Sequence, residues 1–357
     1  MTSNILITGA AGYIGGSIVA DFLSKDNAAL GREHIHAAVR SDDQAKALSA
    51  LGVNVLRLDL TDEKSVVDNL LSHKIRIVIH CASSIDPGLA FPLINALEKQ
   101  KELSGEDTYF IHTSALSAFY ENTGWSPAVI EDTGPIFDTE KQLADSYPIR
   151  KTDVAIIEHA KARGVASFVV IPSTVYGRGS GEWNQLSVVI PGHVQASLRQ
   201  RKVHKFPEDF KVSGVHITDL TALYWRIIEA VLQNQSIPSG TEGYYFALAH
   251  DIHIWEFLDR LATALKARGL VDDSNVATWP NDEVAAESIG VPSQFLAALW
   301  KSGGNLSATR PRSIGWKPQW TKEKFLDHID EEITDVLDLG KAKSSLIDSL
   351  FAAAKNS

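Results

Sequence analysis

The chain has 357 residues, 44% hydrophobic and 22% charged, enough to bury a sizeable core in two domains or in one large α/β domain with a lobe. A formal net charge of -10 and a pI near 5.6 argue against nucleic acid or an anionic membrane surface as the main partner. Cys81 is the sole cysteine, which excludes an internal disulfide and a cysteine metal site and fits a reducing compartment. The first residues lack a basic n-region and are interrupted by glycines, and no apolar run is long enough to span a bilayer. A cytoplasmic protein with neither nucleic acid nor membrane as partner is expected.

In chain order, Asn4-Ile5-Leu6-Ile7 reads as a short strand buried on both faces. It breaks at Thr8-Gly9-Ala10-Ala11-Gly12-Tyr13-Ile14-Gly15, after which residues 17–23 carry apolar side chains at helical spacing. A strand that turns through glycines into a helix aims backbone N–H groups and the positive helix end at one point. In a βαβ unit that anion site holds a dinucleotide pyrophosphate. On this reading Gly9 makes the tight turn, Gly12 admits the phosphates and Gly15 lets the helix pack on the strand. Ala11, Tyr13 and Ile14 complete the binding stretch. Residues 34–39 form a second strand ending at Arg40-Ser41-Asp42-Asp43. An acid at that end would hold the ribose hydroxyls of NAD, whereas an arginine pairs with the 2′-phosphate of NADP. Arg40 therefore favours NADP, with NAD the alternative through Asp42 or Asp43.

A third strand over 53–58 closes at Asp59-Leu60-Thr61-Asp62, where Thr61 or Asp62 can cap a helix over 63–71. Asp59, with Leu60 beside it, either meets the adenine edge or only caps the turn. The fourth strand, 76–80, runs into Cys81-Ala82-Ser83-Ser84, small residues against which a cofactor can lie. A helix over 88–101 and a fifth strand over 108–112 come next. Strands alternating with helices at this pace predict a doubly wound parallel Rossmann sheet.

The fifth strand ends in Thr113-Ser114-Ala115-Leu116-Ser117, a hydroxyl cluster where such sheets place their ligands. Of the eight tyrosines only Tyr147 has a lysine at i+4, Lys151, in a helix predicted to run through 162. A tyrosine of intrinsic pKa about 10 works as an acid–base group near neutrality only when a cation stabilises the phenolate. A serine or threonine can then hold the substrate oxygen.

The order TGxxGxxG, hydroxyl-rich strand end and YxxxK resembles the short-chain dehydrogenase/reductase superfamily. The longer pattern resembles its extended, epimerase/dehydratase-type branch and, more narrowly, a fungal group of NAD(P)-binding proteins. Residues 167–171 and Pro172-Ser173-Thr174-Val175-Tyr176-Gly177 are similar to the family's sixth strand and the loop beneath the nicotinamide. Val215-His216-Ile217-Thr218-Asp219-Leu220, the returning strand at 244–248 and Ile314-Gly315-Trp316-Lys317-Pro318 extend the likeness over about residues 5–335. The resemblance implies that Gly9, Gly12 and Gly15 carry the pyrophosphate, Arg40 the 2′-phosphate, and Ala82 and Ser83 the adenosine side. Pro172, Thr174 and Val175 would lie beneath the nicotinamide. Tyr147 would exchange the proton, and Lys151 would lower its pKa and touch the nicotinamide ribose. The family's serine or threonine aligns with Ala115, leaving Ser114 one position early and Ser117 two late. Because strand side chains alternate, a one-residue offset can turn a hydroxyl away from the pocket; Ser114 is named here and Ser117 is its rival. The narrower group carries an arginine at the position of Arg150 and varies at the next.

The expected organisation is a Rossmann domain over 1–178, a substrate lobe over 179–340 that returns one strand to the sheet, and a tail over 341–357 forming a surface helix or frayed end. In the lobe, Trp183, Asn184 and Phe206 either line a pocket or belong to the core. Helices are read over 191–201, 218–233, 254–268 and 321–337, with 280–300 mixed. His250 and His253 lack companions at metal spacing, and no Walker lysine, G-x-S-x-G elbow or internal repeat is present. Three functions remain: an NADP-dependent oxidoreductase of a small carbonyl or alcohol, an epimerase or dehydratase using the cofactor transiently, or a non-catalytic dinucleotide sensor. Relatives often pair through two helices of the cofactor domain, which allows a homodimer. An aromatic or polyketide-like carbonyl is favoured over a sugar nucleotide, with Arg199, Arg201, Lys202 and Lys205 keeping the latter open.

Overall fold

The computed structural model describes residues 3–25, 30–301, 303–343, 347 and 351. β1 (Asn4–Thr8) leads into α1 (Tyr13–Ser24), and the alternation continues through β2 (Ile35–Val39), α2 (Asp42–Ser49), β3 (Asn54–Arg57), α3 (Glu63–Ser72), β4 (Ile75–His80), α4 (Phe91–Ser104) and β5 (Tyr109–Thr113). A short β6 (Ile130–Glu131) and α5 (Ile136–Gln142) precede α6 (Pro148–Ala162) and β7 (Ala166–Pro172). Then come β8 (Thr174–Tyr176), α7 (Val189–Gln200), β9 (His204–Lys205), β10 (Lys211–His216), α8 (Ile217–Leu232), β11 (Tyr244–Ala247), β12 (His250–His253) and α9 (Ile254–Ala267). The chain finishes with β13 (Ala277–Thr278), α10 (Asp282–Ile289), α11 (Ser293–Trp300), β14 (Leu306–Ser307), α12 (Arg310–Ser313), α13 (Lys322–Asp327) and α14 (Ile329–Leu339).

Seven parallel strands form one sheet in the order β11-β7-β5-β4-β1-β2-β3. Alternate residues of each strand serve opposite faces, which is why these strands read as continuous apolar runs. Ile5, Ile7, Ile77 and Ile79 pack with Ile18 and Phe22 of α1 and Leu223 and Ile227 of α8. Leu6, Val78 and Phe110 pack on the other face with Leu70, Leu93, Leu97 and Ile156 from α3, α4 and α6. Each such side chain, fully buried, is worth roughly 1.5–3 kcal/mol of transfer free energy. Strand order reverses between β1 and β4, and a switch point of this kind opens a crevice at the strands' carboxyl ends.

The later part of the chain is interleaved with this sheet: α8 covers it beside α1, and β11 is its edge strand. The remaining elements build the lobe. β8, β10 and β12 form a small mixed sheet beneath α7, α9, α13 and α14, and α10 and α11 enclose a second apolar cluster around Phe206 and Trp300. Phe206 is thus core, and Trp183 packs against the sheet's cluster.

Three local departures from the sequence expectation have physical causes. Ser41 and Gln44 form a reciprocal capping box that starts α2 directly after Arg40. The mixed stretch 280–300 is two helices separated by Gly290 at φ +87° and by Pro292. The single helix expected over 321–337 is broken at His328, which sits at φ −85°, ψ 0° and ends α13 before α14 begins. The expectation for the tail falls largely outside the described residues. Among the described residues no helix is long and apolar enough to cross a membrane.

Candidate active site

A cleft of about 990 Å³ lies over the carboxyl ends of β1, β2, β4 and β5 and runs under the lobe. Its first wall is the glycine turn. Gly9 has φ +65°, and a Cβ there would stand 2.6 Å from the Cys81 carbonyl oxygen. A Cβ on Gly15 would stand 2.3 Å from the Gly9 carbonyl oxygen. These two glycines therefore let the turn seat on the end of β4 and the helix seat on the turn. Gly12 is the N-cap of α1 and offers no side-chain cap, so the first N–H groups of the helix are left for a ligand. Ala11, Tyr13 and Ile14 also line the cleft. The Tyr13 hydroxyl itself is committed elsewhere, donating at 2.7 Å to the carbonyl of Gly177 in the loop after β8.

At the far end, Arg40, Gln44 and Arg57 line the opening. The Arg40 backbone N–H donates to Gln44 Oε1 at 3.1 Å, and Arg57 pairs with Asp42 at 3.0 Å. Asp59 lines the cleft, but its Oδ1 accepts from the N–H and hydroxyl of Thr61 at 2.9 and 2.7 Å. Those bonds hold its carboxyl below the usual range, so Asp59 caps the turn through Oδ1 while still lining the cleft. Leu60, Ala82 and Ser83 complete this side. Ser83 Oγ accepts from the N–H groups of Ile85 and Asp86 at 3.2 and 3.1 Å.

The floor is the end of β5 and the turn beyond it. Thr113 Oγ1 bridges Cys81 Sγ at 3.1 Å and the Tyr224 hydroxyl at 2.6 Å. Burial pushes the Cys81 thiol up to about 12, so it is no nucleophile. Ser114 lines the cleft, yet its hydroxyl donates at 2.5 Å to Asp153 of α6. Asp153 also lies 3.1 Å from His112 Nε2, and near it Tyr244 donates to Glu140 at 2.5 Å. All of these are buried, and burial raises the pKa of both carboxyls. Ser117 is different: its Oγ accepts from the Tyr147 hydroxyl at 3.2 Å.

The Lys151 N–H donates to the Tyr147 carbonyl at 3.2 Å, but the two side chains find different partners, contrary to the shared helix face expected for them. Pro148 starts α6, which leaves Tyr147 as an extended cap residue at φ −153°, ψ 126°. Lys151 faces solvent, with Nζ 3.2 Å from Asp145. The cation beside Tyr147 is Arg150, fully buried, with its guanidinium carbon 5.5 Å from the tyrosine ring centroid. Its fork donates to Ala118 O, Thr123 O, Thr123 Oγ1 and Ser146 Oγ at 2.6–2.9 Å. Burial pushes the Tyr147 hydroxyl up, while the Ser117 bond and Arg150 pull it back.

Pro172, Thr174 and Val175 line the cleft where the sheet passes into the lobe, and Asn184 faces it from the lobe side. Sequence reasoning missed Gln44, Arg57, Tyr120, Ser187, Ala298 and Leu299, all of which line the cleft. The S-x-x-Q spacing after the second strand was a usable signal for Gln44, and the last position of β3 for Arg57. The lobe residues carry no local signal.

Residues 5–237 match the model of the NAD dependent epimerase/dehydratase family. A curated relative, oxidase ucsJ from an Acremonium species, is 23% identical over 345 residues, covering 89% of this chain and 93% of its own. UDP-glucose 4-epimerase from Thermotoga maritima superposes with a TM-score of 0.62 at 16% identity, covering 94% of this chain and 99% of that one. Alfalfa vestitone reductase gives 0.61 at 17% identity, covering 95% and 99%. The glycine turn, the switch-point cleft and the family match agree: the chain is a member of the NAD-dependent epimerase/dehydratase family.

Proposed function

We propose that the protein is an NADP-dependent oxidoreductase of a small carbonyl or alcohol, with Tyr147 as its acid–base group. The observation that carries this reading is the hydrogen bond from Tyr147, flanked by the buried Arg150, to Ser117, which lines the cleft built around the glycine turn. The cradle fits a dinucleotide: the spaces beside Gly9 and Gly15 that a Cβ would fill are taken up by backbone, and the uncapped start of α1 suits a pyrophosphate. Gly9, Ala11, Gly12, Tyr13 and Ile14 would hold that part. Leu60, Ala82 and Ser83 would take the adenosine side, and Pro172, Thr174 and Val175 the nicotinamide side. Arg40, joined by Arg57, suits a 2′-phosphate, since Asp42 is occupied by Arg57 and Asp59 by Thr61.

When bound, the nicotinamide supplies or accepts the hydride. In the reductive direction Ser117 holds the substrate oxygen by a hydrogen bond, and Tyr147 gives its proton to that oxygen as negative charge develops there. Arg150 stabilises the phenolate left behind, the part the YxxxK spacing assigns to Lys151. Ser114, tied to Asp153, acts as a support of α6 beneath the site. The lone cysteine and acidic balance suit a cytoplasmic setting. The test is incubation with NADPH and a panel of ketones and aldehydes, using the wild type and Tyr147→Phe. Cofactor oxidation in the wild type and its loss in the variant, with NADPH binding retained, is expected. Product formed without net NADPH oxidation would assign the chain to the epimerase or dehydratase type.

A further inference from the structure

The lobe half of the cleft carries information about the substrate that the cofactor half does not. Its walls include Leu116, Leu186, Val188, Val189, Ala298 and Leu299. They come from the turn after β5, the approach to α7 and the end of α11, so an apolar chamber is assembled from three separate stretches.

The basic residues that would recognise a diphosphate are turned to other work. Arg199 donates to the Ser288 carbonyl at 2.5 Å, Arg201 pairs with Asp272 at 2.8 Å, and Lys202 pairs with Asp273 at 2.6 Å. Lys205 sits 3.8 Å above the Trp255 ring centroid. None of these four lines the cleft. Arg40 and Arg57 belong to the opposite end, beyond the glycine turn. Lys343 does line the lobe side, with Nζ 4.6 Å from the Trp183 ring centroid, and among the described residues no arginine fork lines that side with it. A diphosphate brought against these aliphatic walls would lose its hydration without gaining matched charge.

Among the described residues that line the cleft, one buried polar side chain is left over. Ser187 lines the cleft, is 6% exposed, and its hydroxyl is buried with no hydrogen-bond partner. An unmade bond of this kind is costly, and a ligand oxygen would relieve it. Neighbouring Asn184 is already engaged, its Oδ1 accepting from the N–H of Lys343 at 3.0 Å.

We infer that the lobe half of the cleft takes an uncharged, predominantly apolar ring ketone (or the matching alcohol) bearing a second oxygen that hydrogen-bonds Ser187, and not a nucleoside diphosphate sugar. The inference rests on the oxidoreductase reading above and extends it from reaction to substrate class. The carbonyl is reduced next to Tyr147 and Ser117, while the second oxygen lies deeper against Ser187.

The test uses the full chain saturated with NADPH, with cofactor binding first established by fluorescence. Titration calorimetry then compares 1-tetralone, a hydroxylated 1-tetralone series, UDP and UDP-glucose. Saturable binding and reduction of at least one hydroxylated tetralone is expected, with neither UDP nor UDP-glucose binding at millimolar concentration. Ser187→Ala should raise KM for that ketone about tenfold, the worth of one hydrogen bond, and leave the unsubstituted tetralone unchanged. Micromolar binding of UDP or UDP-glucose overturns the inference, as does failure of every ketone to bind, or a Ser187→Ala effect equal for both ketones. In each case retained NADPH binding leaves the cofactor reading standing. Loss of NADPH binding by the wild type would instead remove the reading on which the inference rests.

Discussion

Lys151→Ala and Arg150→Lys should behave in opposite ways. Lys151 is exposed, and its one ion pair is with Asp145, whose side chain is 93% exposed. A solvent-facing pair of this kind contributes at most about 1 kcal/mol. Its removal is expected to change kcat and cofactor affinity by less than about twofold, under 0.5 kcal/mol. Arg150 is fully buried and its guanidinium makes four hydrogen bonds. A lysine ammonium keeps the charge but not the planar fork. If two of the four bonds are lost at about 1.5 kcal/mol each, the cost is about 3 kcal/mol. Felt wholly at Tyr147, that is roughly a hundredfold in kcat; felt wholly in folding, it lowers the urea midpoint instead. Steady-state NADPH oxidation with any ketone that is turned over, run beside a urea titration of each variant, separates the two. A hundredfold loss of kcat in Lys151→Ala with an unchanged urea midpoint, alongside a fully active Arg150→Lys, would refute the placement of Arg150 as the cation serving Tyr147.

Three further outcomes are expected. Arg40→Ala should weaken NADPH binding at least tenfold while leaving NADH binding nearly unchanged, since only the 2′-phosphate loses its partner; equal losses for both cofactors in a fluorescence titration would count against NADP preference. Ser114→Ala should cost about 1–3 kcal/mol of stability by stranding the buried Asp153 oxygen and keep most of kcat, whereas Ser117→Ala should lose kcat with little change in stability. Paired urea melts and rate assays check both, and the reverse pattern would restore Ser114 as the substrate-facing hydroxyl. Burial raises the Glu332 carboxyl to about 7, so its contribution to stability is complete below the unfolded value near 4.5 and is lost as pH rises through about 7. Glu332→Gln keeps an acceptor for the Gly177 N–H and removes that titration. Its stability relative to the wild type should therefore climb by up to about 3 kcal/mol between pH 5 and pH 8, and a difference that stays flat across that range would show that Glu332 titrates normally.

The sheet was legible because its signals are local. β1, β2 and β4 are buried on both faces, so each reads as an apolar run in one short stretch. The glycine turn is a contiguous motif, and its geometry follows from which positions tolerate no Cβ. The proposed Tyr147–Lys151 pair was less legible because a spacing argument assumes helical backbone at both residues, and Tyr147, ahead of Pro148, is the extended N-cap. The choice between Ser114 and Ser117 was not legible for a related reason: Ser117 lies past the strand, in a turn of 3-10 helix where alternation no longer applies. Apart from Asn184, which was among the expected pocket candidates, the lobe wall was not legible. Asn184 and Lys343 meet across 159 positions of sequence, and no periodicity announces such a contact.

The backbone of Gly177 joins α1 to α14. Its carbonyl accepts from Tyr13 in the glycine turn, and its N–H donates to Glu332 in α14. During synthesis, therefore, the first helix and the loop it must fasten to are both available long before the residue that clamps that loop from the other side. A nascent chain that has displayed its entire seven-stranded sheet still lacks α14, and with it the second of the two bonds that hold Gly177. Contacts of such long sequence separation form late and slowly. The ability to grip a dinucleotide firmly should thus be acquired among the last events of folding, although the residues that touch it are among the first to be made.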